Sequence, residues 1–146
     1  MRARPKNKSA KAAPLFTVGY EQAKPGSVLG EFKRAKIGLL VDTRAVAASR
    51  RPGFSKRQLA AALEEEGIGY VHLQKLGTPA EGRAAARGGD TDALWRIYDK
   101  HIRGAEAQNE LRELITLIKT GCSVTAATRR PATAAALLQT SKRKWR

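Results

Sequence analysis

Cysteine and histidine are scarce in this sequence, and it has no long apolar run. Its 146 residues include one cysteine, Cys122, which excludes an intramolecular disulfide and a zinc site built on several cysteines. The two histidines, His72 and His101, lie 29 positions apart without a cluster of further ligands, so we expect no metal ion. No glycine-rich phosphate fingerprint occurs either, and we expect no cofactor. The lack of any stretch of about 18 apolar residues, or of a secretory signal, predicts a cytoplasmic protein without a membrane span.

Positive charge is abundant and concentrated at the two ends of the chain. Residues 1–14 carry five basic residues and no acidic one, and residues 142–146 carry four more. Removing these nine charges from the net charge of +15 leaves +6 for the middle of the chain. We therefore predict a disordered basic tail over 1–14, one domain over 15–138 and a basic tail over 139–146. Such tails favour contact with polyanions, nucleic acid first and an anionic membrane surface second, although they can also serve solubility alone.

The hydrophobic pattern alternates between the strand and helix periods. Strands are predicted at 15–18, 37–41, 68–73 and 122–127, and helices at 27–36, 55–66, 91–103, 106–119 and 131–138. Residues 80–90 indicate a mobile loop or a frayed helical turn. The alternation predicts an α/β protein: a single domain with a mostly parallel sheet of about four strands, covered by helices on both faces. The loops at 19–26, 42–55, 74–90 and 127–131 would then share one rim.

The segment from residue 39 to residue 56 contains most of the side chains on this rim that could bind a ligand. Asp42 and Arg44 follow a buried strand, at the edge where open parallel sheets bind ligands. A basic loop comes next, and Ser55 with Gln58 forms a capping box at the start of a helix, whose unpaired N–H groups favour an anion. We expect the guanidinium groups at 44, 50 and 51 to converge there on phosphate. The predicted phosphate- or nucleic-acid-binding residues are Arg44, Ser49, Arg50, Arg51, Ser55, Lys56 and Lys75.

Several of these residues have a structural alternative. Asp42 and Arg44 could form an internal ion pair that shapes the loop rather than a catalytic pair. Ser49 fits a loop-capping hydroxyl better than a nucleophile. His72 could be a hydrogen-bonded histidine at the sheet edge. Tyr20 and Phe54 could stack on a base or be buried. The weak candidates for catalysis are Tyr20, Glu21, Asp42 and His72.

Five short segments fall in register with a known family. They are Thr17-Val18-Gly19-Tyr20-Glu21, Leu40-Val41-Asp42-Thr43-Arg44, Ser49-Arg50-Arg51-Pro52-Gly53-Phe54-Ser55-Lys56, Tyr70-Val71-His72-Leu73 and Leu76-Gly77-Thr78-Pro79. From residue 15 to about 138 the chain resembles the bacterial and archaeal family called domain of unknown function 488. The resemblance implies a compact α/β domain and little about activity, since the family is named for lacking an assigned one.

The chain departs from that family near its C-terminus. The resemblance implies a cysteine and a glutamate at the end of the fourth strand, and Cys-His-Arg at the start of the last helix. This chain has Ala126, Thr128, Ala134, Ala135 and Ala136 at those positions. Cys122 precedes the expected cysteine by four residues and inherits no role, and Val46 and Ala47 replace the family's Asn-Pro.

These departures shape the functional hypotheses. Without the thiolate and its basic neighbours, the sequence leaves enzyme activity uncertain and favours its absence. We predict a protein that binds phosphate groups, nucleic acid in the first place, at the basic loop. The alternatives are an enzyme acting on a small phosphorylated or nucleotide-like substrate, or a degenerate non-catalytic paralogue that binds a partner.

Overall fold

The computed structural model describes residues 15–19, 23–119 and 123–128. Along the chain the elements are β1 (Leu15–Gly19), α1 (Pro25–Arg34), β2 (Leu39–Asp42), α2 (Lys56–Glu65), β3 (Gly69–His72), a short 3₁₀ helix (Gln74–Leu76), α3 (Ala80–Arg87), α4 (Thr91–Ile102), α5 (Ala105–Lys119) and β4 (Val124–Thr128). This is an α/β protein, as the alternation predicts. The helix expected at 131–138 and the two basic tails lie outside the described residues.

The strands pair in parallel in the order β1-β4-β2-β3. Because they are parallel, they all end at one edge, which we call the carboxyl edge. Asp42 pairs there with Ala127 on one side and with His72 on the other. The loops that follow β2 and β3 therefore begin side by side.

The central strand β2 presents alternate residues to two apolar clusters. Leu40 lies among buried side chains of α1, α2 and the loop between β2 and α2, including Phe32, Phe54 and Leu63. Val41 lies among those of the 3₁₀ helix, α4 and α5. Since successive side chains of a strand point to opposite faces, helices cover both faces of this part of the sheet. The sequence of a strand that is buried on both faces is a continuous run of apolar residues, and residues 37–41 form such a run.

Residues 80–87 form a helix, where the sequence indicated a mobile loop or a frayed helical turn. Alanine has the highest helix propensity, and four alanines occur in this element. Gly82, which suggested mobility, instead lies tightly against the Thr78 side chain and packs against α4. A Cβ atom there would lie 2.8 Å from Thr78 Cγ2 and 3.4 Å from Leu94 Cδ1. Helix α1 begins at Pro25 rather than at the predicted residue 27, because proline is well suited to the first helical position.

The acidic end of α2 has a cationic partner. Its C-cap residue Glu66 forms an ion pair with Lys33 of α1, in which Lys33 Nζ lies 2.6 Å from Glu66 Oε2. Carboxylates at a helix C-terminus oppose the macrodipole, so the basic end of α1 offsets this local conflict. The two helices thus combine opposite charges at the edge of the sheet where the strands begin.

Gly77 fixes how closely the loops after β2 and β3 approach each other. Its φ of −76° suits any residue, but a Cβ atom would lie 2.5 Å from the backbone oxygen of Thr43 and in contact with the backbone of Ala45. Backbone atoms cannot move aside as a flexible side chain can. Only glycine fits without shifting one loop.

Replacing Gly77 by alanine should lower the free energy of unfolding by about 1–3 kcal/mol or more, because the added methyl overpacks two backbones. The matched control is Gly30→Ala in α1, where nothing lies within 4 Å of the added Cβ. That variant should gain up to about 1 kcal/mol from helix propensity. Urea denaturation measures both. Equal effects of the two substitutions would contradict the close packing at Gly77.

Candidate functional site

A buried ion pair stands at the end of β2. Arg44 Nε donates to Asp42 Oδ1 at 2.7 Å, and Arg44 Nη2 donates to Asp42 Oδ2 at 2.6 Å. The two side chains are 3% and 0% exposed. Burying two charges is costly unless they are paired with good geometry and their remaining polar atoms are satisfied. The two parallel hydrogen bonds meet the first condition.

Asp42 has all of its acceptor capacity in use. Besides the two guanidinium bonds it accepts from the backbone N–H of Arg44 at 3.1 Å and from the Tyr70 hydroxyl at 2.6 Å. These four bonds fill the four lone-pair sites of a carboxylate. Burial alone would raise the pKa of Asp42, but the hydrogen bonds from Arg44 and Tyr70 and the charge of Arg44 hold it below its ordinary value. Asp42 therefore stays ionised and serves the internal pair, which leaves it no site for a substrate or a metal ion.

Tyr70 is the second donor to this carboxylate. Burial, together with the hydrogen bond to Asp42 and its negative charge, raises the pKa of the Tyr70 phenol above its ordinary value. The phenol therefore keeps its proton and remains a donor. Tyr70 begins one of the segments that resemble the family, but the sequence assigned it no role. The available signal was its position two residues before His72, on the strand that pairs with β2.

The third branch of Arg44 reaches the start of α2. Arg44 Nη1 donates to the backbone oxygen of Phe54 at 2.7 Å. Arg44 was expected from the sequence to contact phosphate, and the structure places its guanidinium inside the fold, bonded to Asp42 and Phe54. Asp42 and Arg44 form an internal ion pair that shapes the loop, which was the structural alternative for these two residues.

The neighbouring strand and 3₁₀ helix hold the first residues of the same loop. His72 Nε2 lies 2.8 Å from the Arg44 oxygen, and since a carbonyl can only accept, this nitrogen carries the proton. Gln74 Nε2 donates to the Ala45 oxygen at 2.9 Å. His72 therefore has the role of a hydrogen-bonded histidine at the sheet edge. The catalytic candidates Tyr20 and Glu21 lie outside the described residues.

The basic loop, residues 45–57, is closed by its own polar groups. Ser49 Oγ accepts from the Arg51 N–H at 3.1 Å, as a loop-capping hydroxyl does. The Lys56 N–H donates to the Ala47 oxygen at 3.0 Å across the base of the loop. Gly53 adopts a φ of +85°, which favours glycine.

Ser55 and Gln58 form a variant of the expected capping box. Ser55 is the N-cap of α2, but its hydroxyl donates to Gln58 Oε1 at 2.9 Å instead of accepting from the first turn. The same Gln58 oxygen accepts from the Gly53 N–H at 3.0 Å. The glutamine therefore closes the turn before the helix. This leaves the N–H groups of Arg57 and Gln58 without a hydrogen bond within the described parts of the chain.

Arg51 binds protein groups rather than pointing into an open pocket. Its Nη2 donates to the Ala23 oxygen at 2.5 Å, and its guanidinium carbon lies 5.1 Å from the centre of the Phe54 ring. Phe54 is 1% exposed and belongs to the core, so it offers no stacking surface to a base. Arg44 and Arg51 do meet at Phe54, but through contacts with the protein itself. Of the three guanidiniums expected to converge on phosphate, those of Arg44 and Arg51 therefore bind protein groups, while Arg50 is exposed.

The exposed cations of the basic loop are Arg50, Lys56 and Arg57. Among the residues described by the structure, none of the three forms an ion pair. Lys75, also on the carboxyl edge, differs because its ammonium lies 3.0 Å from a Glu106 carboxylate oxygen of α5. Over 15–19, 23–119 and 123–128, no group of three or more His, Cys, Asp or Glu residues is placed to hold a metal ion.

A known family model covers the part of the chain that contains this site. A family model described as "Domain of unknown function DUF488" matches residues 25–139. The chain belongs to this family. The match includes the buried pair, the basic loop and Gly77, while β1 precedes it. No curated protein and no solved structure matches the chain. No helix in the described part of the molecule is long and apolar enough to cross a membrane.

The position where the family resemblance expects a cysteine lies beside the buried pair. Ala126 pairs with Val41, and the next residue, Ala127, pairs with Asp42. Thr128, where a glutamate is expected, ends β4 opposite Gly19 of β1. The remaining family positions, Ala134, Ala135 and Ala136, lie outside the described residues.

Replacing Asp42 by asparagine should lower the free energy of unfolding by about 3–5 kcal/mol, because it leaves the buried charge of Arg44 uncompensated. Tyr70→Phe removes one hydrogen bond to a charged acceptor and should cost roughly 1.5–3 kcal/mol. Asp99→Asn is the control, since Asp99 and Arg103 form a pair whose side chains are 57% and 72% exposed. It should cost less than about 1 kcal/mol. Urea denaturation gives the order, and an Asp42 variant as stable as the Asp99 variant would contradict a structural role for the pair.

Proposed function

We propose that the protein binds the phosphate backbone of nucleic acid at the basic loop, residues 45–57. The observation that carries this proposal is the set of exposed cations Arg50, Lys56 and Arg57. They share a segment that contains no acidic residue, and none of them is paired with a carboxylate in the described part of the structure. The buried Asp42–Arg44 pair and the loop's own hydrogen bonds hold the backbone from which these side chains extend. A fixed backbone lowers the entropic cost of presenting several cations at once.

The charge distribution between the two ends of α1 and α2 supports the proposal. At the end remote from the basic loop, Lys33 pairs with Glu66, and Arg34 pairs with Glu31. Lys33 and Arg34 are paired with carboxylates, while the exposed cations of the basic loop form no ion pair among the described residues. A local excess of positive charge attracts polyanions and raises the rate of encounter.

The start of α2 adds to this field. The N–H groups of Arg57 and Gln58 have no partner among the described residues, and the helix macrodipole places partial positive charge at this end. Backbone N–H groups are common donors to nucleic-acid phosphates. Lys56 and Arg57 lie in the same first turn as these N–H groups and add positive charge to this end of the helix.

An extended polyanion fits this surface better than a small substrate does. The two arginines expected to build a closed phosphate pocket, Arg44 and Arg51, are bound to protein groups. The remaining cations are exposed, and the basic tails can add further contacts along a long ligand. The enzyme hypothesis keeps Tyr20 and Glu21 as candidates, whereas Asp42 and His72 have structural partners. The hypothesis of a partner-binding module stays a prediction.

Affinity for a short fluorescently labelled DNA duplex should fall steeply as salt rises, because each neutralised phosphate releases counterions. The double variant Arg50→Ala/Lys56→Ala should reduce the slope of log affinity against log salt by about 1.8, which corresponds to two lost contacts. Fluorescence anisotropy at several salt concentrations measures this slope. The full chain with both tails is used throughout.

The control is Lys33→Ala/Arg34→Ala, which removes the same charge from the far end of α1. It should leave the slope unchanged if the basic loop makes the contacts. A flat salt response of the unmodified protein would reject the proposed function. Equal losses in the two double variants would show that net charge alone, and not this surface, governs binding.

A further inference from the structure

Residues 23 and 24, which lead into α1 on the carboxyl edge and which we call the second loop, are joined to the basic loop. The Ala23 backbone oxygen accepts from Arg51 Nη2 at 2.5 Å. A Cβ atom on Gly53 would lie 2.7 Å from Pro25 Cγ, so the Gly53 backbone lies against the Pro25 ring. The start of α1 thus contacts the loop that precedes α2, although 28 positions separate Ala23 from Arg51.

Arg51 is well placed to fix this junction. Its guanidinium lies over the Phe54 ring while it donates to Ala23, and both Phe54 and Ala23 belong to one apolar cluster. A planar guanidinium can stack on a ring and donate in its own plane at once, which a lysine ammonium cannot reproduce. The contact therefore ties the second loop to the same core that holds the basic loop.

The exposed cation at this junction is Lys24. It follows Ala23 directly, it is the exposed N-cap residue of α1, and its backbone oxygen accepts from the N–H groups of Ser27 and Val28 at 3.1 Å. Its ammonium has no carboxylate partner in the described parts of the chain. The sequence did not mark it, because a single lysine before a proline carries no motif.

We propose that Lys24 is a further phosphate-contacting residue and that Arg51 is the positioning residue that joins it to the basic loop in one binding surface. This inference rests on the proposed function and extends its surface across two loops. Arg51 was expected from the sequence to bind phosphate itself. Here it acts through the placement of Lys24, and its own guanidinium is occupied by Ala23 and Phe54.

The test measures the salt dependence of binding to the same labelled DNA duplex for Lys24→Ala and for Arg34→Ala. Both variants remove one cation from an end of α1, and only the first lies beside the basic loop. Lys24→Ala should reduce the slope of log affinity against log salt by about 0.9, and Arg34→Ala should leave it unchanged. Equal slopes for the two variants would overturn the role of Lys24.

The positioning role is tested with Arg51→Lys, which keeps the charge of the chain and removes the planar fork. It should reduce the slope nearly as much as Lys24→Ala does, and adding Lys24→Ala to it should have little further effect. Unaltered binding by Arg51→Lys, or additive effects of the two substitutions, would overturn the role of Arg51. A flat salt response of the unmodified protein would overturn the proposed function and this inference together, whereas a steep response with a neutral Lys24→Ala would overturn the inference alone.

Discussion

The buried ion pair between Asp42 and Arg44 is the interaction on which the carboxyl edge of this sheet depends. It joins the end of the central strand to the start of α2, because one branch of the guanidinium reaches the Phe54 oxygen while the others hold the carboxylate. Tyr70 completes the carboxylate and His72 supports the Arg44 backbone, so the neighbouring strand also contributes. Such a pair stabilises the fold little compared with apolar packing, but breaking it is costly. It thereby fixes the conformation of the loop more than it adds to overall stability.

The arginines of this segment consequently divide into two groups. Arg44 and Arg51 bind carboxylate, carbonyl oxygens and the face of Phe54, and they shape the loop from within. Arg50 and Arg57, with Lys56, remain exposed and give the surface its charge. The same residue type thus builds the support and supplies the proposed contacts. This division explains why a strongly basic loop can hold one backbone conformation.

The sequence predicts the class of fold and the end of the central strand well, since both follow from hydrophobic periodicity. It also identified Asp42 and Arg44 as partners, because an acid and a base two residues apart at a strand end commonly pair. It could not decide whether Arg44 points inward, because that depends on Tyr70 and Phe54, which are distant in sequence. The sequence left residues 80–87 open between a loop and a helical turn for a similar reason: Gly82 weakens a helix locally, and only its close approach to the Thr78 side chain shows why glycine is there. No signal in the sequence marked Lys24, since the contact between Arg51 and the preceding residue, Ala23, is tertiary.

Amide hydrogen exchange in an Arg44→Lys variant tests the central claim most directly. The lysine keeps a positive charge beside Asp42 but cannot also hold the Phe54 oxygen as the arginine fork does. If the pair holds the basic loop, protection of the Lys56 amide, which bonds to Ala47 across the base of the loop, should fall well below that of the amides in α4 and α5. Protection that stays unchanged at Lys56, or that falls equally in the loop and in those helices, would contradict the account.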